Sequence, residues 1–245
     1  MIDVTALDRH KKISLSFSGG KDSLACVYLL RSHLDRITLY HLDTGDLLPE
    51  MREIVDHVAG FAPHLIRIQG DIDGWIKRNG LPTDLLPHSA HIIGQTMGEH
   101  NAHVVPRYMC CYENLMRPLF ERICADGNTL LIRGTKAIDM KRLPLRSGDV
   151  EGGLEIFLPL EDWSHEDVFT YLRSVGAPIS RIYDHVTNSP ECARCSAWWG
   201  EDRAAYLKKH YPEVWRDYAA RLRIVAAEID APLRALRREM AGIES

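Results

Sequence analysis

Short apolar runs alternate with helix-like patterns of apolar residues along the first part of the chain. Three runs, at 13–15, 37–42 and 64–68, have the length and composition of buried strands. The segments between them place apolar residues at helical spacing, and the second helix starts near Pro49, whose fixed φ suits a first helical turn. Strands that alternate with helices predict an α/β protein with a doubly wound parallel sheet.

The middle of the chain has a weaker pattern. Residues 70–108 are rich in glycine, proline and histidine and are expected to form a long, irregular segment. Cys110 and Cys111 are expected to begin a helix that runs to about Ala125. Further predicted elements are strands at 129–132 and 155–158 and a helix at 165–175 that is capped by Ser164.

The end of the chain is predicted to be a helical extension, so that residues 1–199 form one domain and residues 200–245 an appendage. Asp230 to Pro232 is expected to break the helix and let it restart. Packing against the core is the favoured role of an apolar stripe along these helices, and a homodimer contact is the alternative. The stripe consists of Trp215, Tyr218, Leu222, Val225 and Ile229.

A glycine-rich turn between the first strand and the first helix predicts a phosphate site. Gly19 and Gly20 can adopt a positive φ and let a ligand approach the backbone closely. The helix that follows, capped by Asp22 or Ser23, directs free N–H groups and the positive end of its dipole at such a ligand. Lys21 adds a positive charge. The residues that we expect to bind a polyphosphate are Ser16, Ser18, Gly19, Gly20, Lys21, Asp22 and Ser23.

This turn differs from a Walker A loop, which requires a glycine where the chain has Leu15. An ordinary glycine turn with a capping serine is the alternative, but the strand–turn–helix context favours a ligand site. Asp43 follows the second strand. Because ligands of doubly wound sheets bind beyond the carboxyl ends of the strands, Asp43 is expected close to the same ligand.

The most basic segment of the chain starts where the fourth predicted strand ends. A solvated loop would explain this composition, but the position at the carboxyl end of a strand favours binding of phosphate or sulfate. One acid, Asp139, stands there against five basic residues, which are Arg133, Lys136, Lys141, Arg142 and Arg146. The candidate site residues of this segment are Arg133, Gly134, Lys136 and Arg142.

Composition and charge narrow the class of protein. Of the 245 residues, 45% are hydrophobic and 26% are charged, which is ordinary for a soluble globular protein. The formal net charge of −4 argues against a broad nucleic-acid surface. No apolar run approaches the length of a membrane span, and residues 1–12 carry charges where a signal peptide needs an apolar block. We expect a cytoplasmic protein without a membrane partner.

The chain has six cysteines, which in a reducing compartment indicate metal or redox chemistry rather than structural disulfides. Two are adjacent, Cys110 and Cys111, and two form a Cys-x-x-Cys motif, Cys192 and Cys195. Thiolates bind iron–sulfur clusters and zinc, and a helix that starts at Cys110 would lower the pKa of the thiols there. An iron–sulfur cluster, a zinc site and a redox disulfide between Cys192 and Cys195 all remain open.

These motifs together resemble a known family. Residues 18–23 are similar to the PP-loop of ATP pyrophosphatases, which cleave ATP between the α and β phosphates. Over residues 12–200 the chain resembles the phosphoadenosine-phosphosulfate (PAPS) reductase family, within the PP-loop, adenine-nucleotide α-hydrolase-like superfamily, which implies a Rossmann-like sheet. The resemblance is carried by the PP-loop, by Leu42 to Gly45 with Pro49 and Glu50, by the stretch from Arg133, by Trp163 to Val168 with Tyr171 and Leu172, by Tyr183 and by the Cys-x-x-Cys motif.

The resemblance also implies a cofactor. The cysteine quartet is similar to the one that binds a 4Fe–4S cluster in adenylyl-sulfate (APS) reductases, and zinc is the alternative metal. The implied ligands are Cys110, Cys111, Cys192 and Cys195. The chain departs from the reductases in two ways, because no cysteine follows Cys195 to attack the sulfate sulfur and because the loop has a Gly-Gly-Lys-Asp form that reductases usually lack. Both departures favour ATP over APS or PAPS.

We therefore expect an enzyme that binds ATP with Mg²⁺ and adenylates a substrate for sulfur transfer. Lys21 and the loop amides would hold the pyrophosphate, while Asp43 would lie near the nucleoside or the metal. Arg133, Lys136 and Arg142 would neutralise phosphate charge. The sulfur acceptor would be a nucleic acid or a protein. A sulfonucleotide reductase with a nucleophile from elsewhere, a non-catalytic nucleotide-binding regulator and a flavin adenylyltransferase are the alternatives.

Overall fold

The structure is a computed structural model that describes residues 4–97, 103–139, 145–188, 191–200 and 202–243. The strands are β1 (Ile13–Ser16), β2 (Ile37–Asp43), β3 (Leu65–Gln69), β4 (Leu81–Thr83), β5 (Val104–Pro106), β6 (Leu130–Ile132), β7 (Val150–Glu151) and β8 (Leu154–Phe157). The α-helices are α1 (Lys21–Leu29), α2 (Pro49–Ala59), α3 (Ile72–Asn79), α4 (Ile92–Thr96), α5 (Arg107–Cys111), α6 (Arg117–Ala125), α7 (His165–Ser174), α8 (Arg203–His210) and α9 (Pro212–Ile243).

Shorter helical turns complete the description. A π-helical turn, Tyr112–Met116, joins α5 to α6. Segments of 3₁₀-helix lie at Thr5–Arg9, Arg31–His33, His88–Ala90, Ala137–Asp139 and Arg181–Asp184.

The chain divides into two compact units. The first consists of Met1–Asp43, Leu47–Gly70 and Met116–Glu191, and the second of Thr44–Asp46, Asp71–Leu115 and Cys192–Ser245. The candidate phosphate-binding residues belong to the first unit and the cysteine quartet to the second. A domain boundary at residue 199 stays a prediction.

The first unit is built on one sheet of described strands in the order β3-β2-β1-β6-β8-β7. Neighbouring strands are parallel except at β7 and β8, which pair antiparallel. From β1 the chain proceeds to β2 and β3 on one side, whereas β6 pairs with the other side of β1. The predicted α/β fold with a parallel sheet is confirmed. Its strand order reverses between β1 and β6, which is where ligands of such sheets bind.

The central strands are buried because helices cover the sheet. Leu15, Leu39 and Ile132 occupy matching positions on β1, β2 and β6, and all three are fully buried. Apolar residues on both faces of a strand are typical of parallel sheets, which explains why these strands appear in the sequence as continuous apolar runs. The packed strands hold the carboxyl ends of β1 and β6 side by side.

Helix starts were predicted with mixed success. Ser164 caps α7 through a capping box with Asp167, and Pro49 is the first residue of α2, as expected. The predicted cap of α1 is wrong, because Gly20 is the N-cap residue and provides no side-chain hydrogen bond. The helix begins two residues earlier than a cap at Asp22 requires and three residues earlier than a cap at Ser23 requires.

The second unit is more regular than expected. Residues 70–108 contain α3 and a two-stranded parallel sheet of β4 and β5, so an irregular segment there is wrong. The helix at the adjacent cysteines begins at Arg107 rather than at Cys110. Cys110 and Cys111 therefore end α5 and do not lie at a helix start.

The C-terminal helix continues where a break was predicted. The helix α9 runs through Pro232 without interruption. Of the predicted apolar stripe, Tyr218 and Val225 are buried, in agreement with packing against the core. None of the described helices combines the length and the apolar character that a membrane crossing requires.

A buried histidine makes the stability of the first unit depend on pH. His41 of β2 is 3% exposed, and its Nδ1–H donates to the carbonyl oxygen of Phe17 at 2.9 Å, just before the glycine turn. Burial lowers the pKa of His41 below its ordinary value of 6.5.

We expect the His41 contribution to the free energy of unfolding to be complete above pH 6.5 and to decline as the pH falls below it, because only the unfolded chain then takes up the proton readily. Urea unfolding at pH 8 and pH 5 measures this for the wild type and for His41→Asn, which keeps the donor but does not titrate. The wild type should lose more stability than the variant. The exposed His64→Asn serves as the control, and equal losses in the wild type and His41→Asn would contradict the prediction.

Candidate functional site

The glycine turn between β1 and α1 is held by its own serines. Gly19 has a φ of +85°, and a side chain there would approach Val55 and the carbonyl oxygen of Met51. Ser18 Oγ accepts the N–H of Gly20 at 3.2 Å, and Ser23 Oγ donates to the carbonyl oxygen of Gly20 at 3.0 Å. The turn is thus formed in advance of any ligand, with glycines where the backbone is most tightly packed.

A tyrosine from a distant part of the chain caps the start of α1. The hydroxyl of Tyr183 accepts the N–H of Lys21 at 3.0 Å, although the two residues are 162 positions apart. Burial raises the pKa of Tyr183, so the phenol keeps its proton. The ring of Tyr183 also packs against that of Phe169. Sequence reasoning noted Tyr183 as part of the family resemblance but gave it no role.

Two buried lysines meet at one carboxylate beside the turn. Lys21 and Lys136 are 2% and 0% exposed, and both form ion pairs with Asp22, at 2.8 and 2.6 Å. Lys21 Nζ also donates to Asn188 at 3.0 Å, and Lys136 Nζ to Asp139 at 3.0 Å. Burial lowers the pKa of Lys21, and the charge of Asp22 partly offsets that effect. The structure thereby unites the glycine turn with the basic segment after β6.

Gly134 allows this approach. A Cβ atom on Gly134 would lie 2.7 Å from the backbone carbon of Asp22 and 2.9 Å from the nitrogen of Ser23. Because those atoms belong to the backbone of α1, they cannot move aside as a side chain could. The segment after β6 therefore needs a glycine at this position to bring Lys136 to Asp22.

A histidine that sequence reasoning did not select lies next to this group. His165, the first residue of α7, has its Nε2 3.7 Å from Asp139, and its Nδ1 is buried without a hydrogen-bond partner among the described residues. Burial lowers the pKa of His165, and the charges of Lys21 and Lys136 lower it further. A neutral imidazole beside two ammonium groups can accept a proton. The capping signal at Ser164 was the one feature that drew attention to this helix start.

The other predicted residues of the first unit occupy different environments. Asp43 ends β2 and pairs with Arg52 at 2.9 Å. Arg133 follows β6 and is half-buried, and Ser16 ends β1. Arg142 lies outside the described residues, as does Lys141. The group formed around Asp22 is therefore the best-defined part of the predicted phosphate site.

The cysteine quartet lies within the second unit. Cys110 is buried, and burial together with the neighbouring thiols of Cys111 and Cys195 raises its pKa to about 12. A pKa lowered by a helix start is thus wrong for Cys110. Cys192 Sγ lies 3.4 Å from Thr44 Oγ1.

The donor set suits a soft metal ion, because four thiols belong to one unit and Cys110 lies near two of the others. Within the residues that the structure describes, no three histidine, cysteine or acidic side chains are close enough to hold a metal ion. The thiols would have to close on an ion, and their assignment as ligands stays a prediction.

An ionic network that the sequence did not reveal anchors the Cys-x-x-Cys turn. The side chain of Arg194, between the two cysteines, contacts Asp46 at 2.6 Å, Asp73 at 2.9 Å and Asp217 at 3.3 Å. Asp46 also accepts the N–H of Arg194 at 2.9 Å through its carboxylate. Arg221 pairs with Asp73 at 2.6 Å. These partners are far apart in the sequence, so no local pattern could have predicted the network.

Comparison with known proteins places part of the chain in a family. Residues 12–73 match the model of the phosphoadenosine phosphosulfate reductase domain. An adenosine 5'-phosphosulfate reductase from Allochromatium vinosum is 23% identical over 211 residues, which are 78% of this chain and 75% of that protein. Another, from Burkholderia cepacia, is 22% identical over 214 residues, covering 80% of this chain and 79% of that protein.

One solved structure is similar to part of the chain. The crystal structure of phosphoadenylyl-sulfate (PAPS) reductase from Candida auris, in a phosphate complex, covers 73% of this chain and 80% of its own, with a TM-score of 0.49 and 14% identity. The matched residues 12–73 contain β1, the glycine turn, α1, β2, α2 and β3. Residues 12–73 therefore match the phosphoadenosine phosphosulfate reductase domain, and the resemblance predicted from the sequence is confirmed for this region.

Proposed function

We propose that the chain is an enzyme that binds ATP at the glycine turn and cleaves it between the α and β phosphates to adenylate a substrate. The observation that carries this proposal is the convergence of two buried lysines, Lys21 and Lys136, on Asp22 at the start of α1. A loop that binds a nucleotide without β and γ phosphates has less need of such a concentration of positive charge.

The unused hydrogen-bonding capacity of the lysines supports an anionic ligand. An ammonium group has three donors. Lys21 uses two, on Asp22 and Asn188, whereas Lys136 donates one hydrogen bond to Asp139 and forms an ion pair with Asp22, so each keeps at least one donor among the contacts of the described residues. The charges are shielded from water, and the dipole of α1 adds to them. A polyphosphate would accept the remaining hydrogen bond of each lysine.

The proposed reaction is attack of a substrate oxygen on the α-phosphorus, with pyrophosphate as the leaving group. The loop amides, Ser18 and Lys21 would hold the pyrophosphate, and Lys136 would neutralise charge that develops on the phosphates. His165, which is kept neutral, would take the proton of the attacking oxygen. Mg²⁺ bound with the nucleotide supplies further charge neutralisation, and Asp43 is the residue that would hold it or the nucleoside.

The cysteine quartet would serve the second half of the reaction. We assign Cys110, Cys111, Cys192 and Cys195 to a 4Fe–4S cluster, with zinc as the alternative metal. A cluster would supply iron at which sulfide-level sulfur can bind. Hydrosulfide would attack the adenylated carbon, so that a carbon–sulfur bond forms as the carbon–oxygen bond to AMP breaks and AMP leaves. The acceptor would be a nucleic acid or a protein.

A sulfonucleotide reductase is the second candidate, because the relatives reported above are named as APS reductases. That reaction needs a thiolate that attacks the sulfur of the sulfonucleotide. Besides the quartet the chain has Cys26 and Cys124, and burial raises the pKa of both. Neither is activated as a nucleophile. In this candidate the attacking thiol would be supplied by another molecule.

The two candidates differ in substrate and product. Anaerobically purified protein should release pyrophosphate from ATP when bulk RNA or protein is offered as the acceptor, and should form no sulfite from APS or PAPS with excess dithiol. Ion chromatography of both reactions measures the products. Sulfite without pyrophosphate would replace the first candidate with the second.

Lys21→Met should weaken ATP binding by about tenfold or more, because a charge-assisted hydrogen bond to a phosphate is lost. The loss for AMP should be much smaller, since AMP has no β or γ phosphate for Lys21 to hold. Isothermal titration of both nucleotides measures the difference, and the exposed Lys11→Met is the matched control. Equal losses for ATP and AMP would show that Lys21 does not bind the pyrophosphate portion.

Gly134→Ala should lower stability by about 1–3 kcal/mol and weaken ATP binding, because the added methyl group pushes the segment with Lys136 away from α1. Gly242→Ala in α9 is the control, since a Cβ there meets nothing within 4 Å. Urea unfolding and ATP titration give the two quantities. An unchanged ATP affinity in Gly134→Ala would show that Lys136 does not contribute to nucleotide binding.

A further inference from the structure

Arg203, the first residue of α8, carries a positive charge into the interior of the second unit. It is 1% exposed. Its guanidinium donates to three carbonyl oxygens of the Cys-x-x-Cys region, those of Ala193 at 2.8 Å, Trp198 at 2.9 Å and Cys195 at 3.2 Å. The ring of Tyr218 stacks 4.6 Å from the guanidinium carbon. Arg203 therefore braces the turn that holds Cys192 and Cys195.

The partners of Arg203 are all neutral. Among the described residues, Asp46, Asp73 and Asp217 pair with Arg194 or Arg221, and no carboxylate forms an ion pair with Arg203. The charge of Asp46 also acts on Arg203, but Arg194 binds both oxygens of that carboxylate. Tyr218 donates its hydroxyl to the carbonyl oxygen of Trp198 at 3.3 Å, so it is not an anion.

A buried cation without a counter-charge is costly, because carbonyl dipoles and a ring face replace only part of its hydration. Besides Asp46, which Arg194 already binds, the groups whose negative charge would act on Arg203 are the sulfur atoms of Cys192 and Cys195. A metal held by several thiolates carries a net negative charge, since the thiolates outweigh the charge of the ion or cluster.

We propose that Arg203 is the buried counter-charge of an anionic metal–thiolate centre at Cys192 and Cys195, and that it positions this turn for ligation. The inference rests on the proposed assignment of the quartet as metal ligands. Arg203 would raise the affinity of the turn for a thiolate-bound metal. It would also raise the reduction potential of a cluster, because a nearby positive charge favours the state with one more electron.

The test titrates the full chain, freed of metal, with Co²⁺, whose sulfur-to-metal absorption bands report thiolate ligation. Arg203→Met should weaken Co²⁺ binding by about tenfold or more, the scale expected for a residue that supports metal ligands. Arg203→Lys keeps the charge and should retain most of the affinity. Arg223→Met, at an exposed position on α9, is the control and should bind as the wild type does.

A second readout separates charge from bracing. In protein reconstituted with iron and sulfide, the midpoint potential should fall in Arg203→Met and stay near the wild-type value in Arg203→Lys. If both variants fold by circular dichroism and lose affinity equally, Arg203 only braces the backbone and the proposal is overturned. If Arg203→Met does not fold, Arg203→Lys carries the test alone, and a tenfold loss in that variant overturns it.

Failure of the wider proposed function has a different signature. If the wild type binds Co²⁺ without sulfur-to-metal bands, the metal centre and this inference fall together. ATP titration of the same preparation measures the PP-loop separately, since those residues belong to the other unit.

Discussion

The candidate phosphate site of the first unit depends on one carboxylate, that of Asp22, which two lysines share. Asp22 neutralises Lys21 from the glycine turn and Lys136 from the segment after β6, and both ammonium groups are shielded from water. Removal of either partner would leave a charge in a poorly solvated place, so the two loops are tied to each other. The tie lies at the carboxyl ends of neighbouring strands, where the strand order reverses. Packing of the sheet and burial of the charges thus support one arrangement.

Much of this arrangement could be predicted from local patterns. The strands, the glycine turn and the basic segment after β6 appear in the sequence because apolar runs, adjacent glycines and charge clusters are local features. The contacts that complete the site are not local. Tyr183 accepts the N–H of Lys21, and Asn188 accepts a hydrogen bond from the ammonium group of Lys21. Both partners lie more than 160 residues further along the chain. A sequence pattern cannot show which distant side chain will cap a helix, and so the cap was assigned to Asp22 or Ser23.

The errors in the second unit have a similar origin. Propensity predicted a break at Pro232, but α9 continues through it, because one missing N–H does not end a helix whose earlier turns pack against a core. Cys110 was expected at a helix start, yet α5 begins at Arg107 and buries the thiol. The four cysteines of the motif belong to one unit, and their assignment as metal ligands stays a prediction. The motif did not indicate the ionic network around Arg194, whose acids come from three separate segments.

Both units bury cationic side chains, and in both the contacts among the described residues leave capacity for a further negative ligand. Lys21 and Lys136 each keep a donor after their internal contacts, and Arg203 has carbonyl oxygens and a ring face in place of a carboxylate. Buried cations at such positions lower the stability of the ligand-free chain, and binding of an anion there would raise the stability again. Natural chains retain this cost where it creates affinity, which is the reason to look for a nucleotide at the first group and an anionic metal–thiolate centre at the second. The same buried charges help to define the fold of each unit and would account for the proposed affinity for a negative ligand.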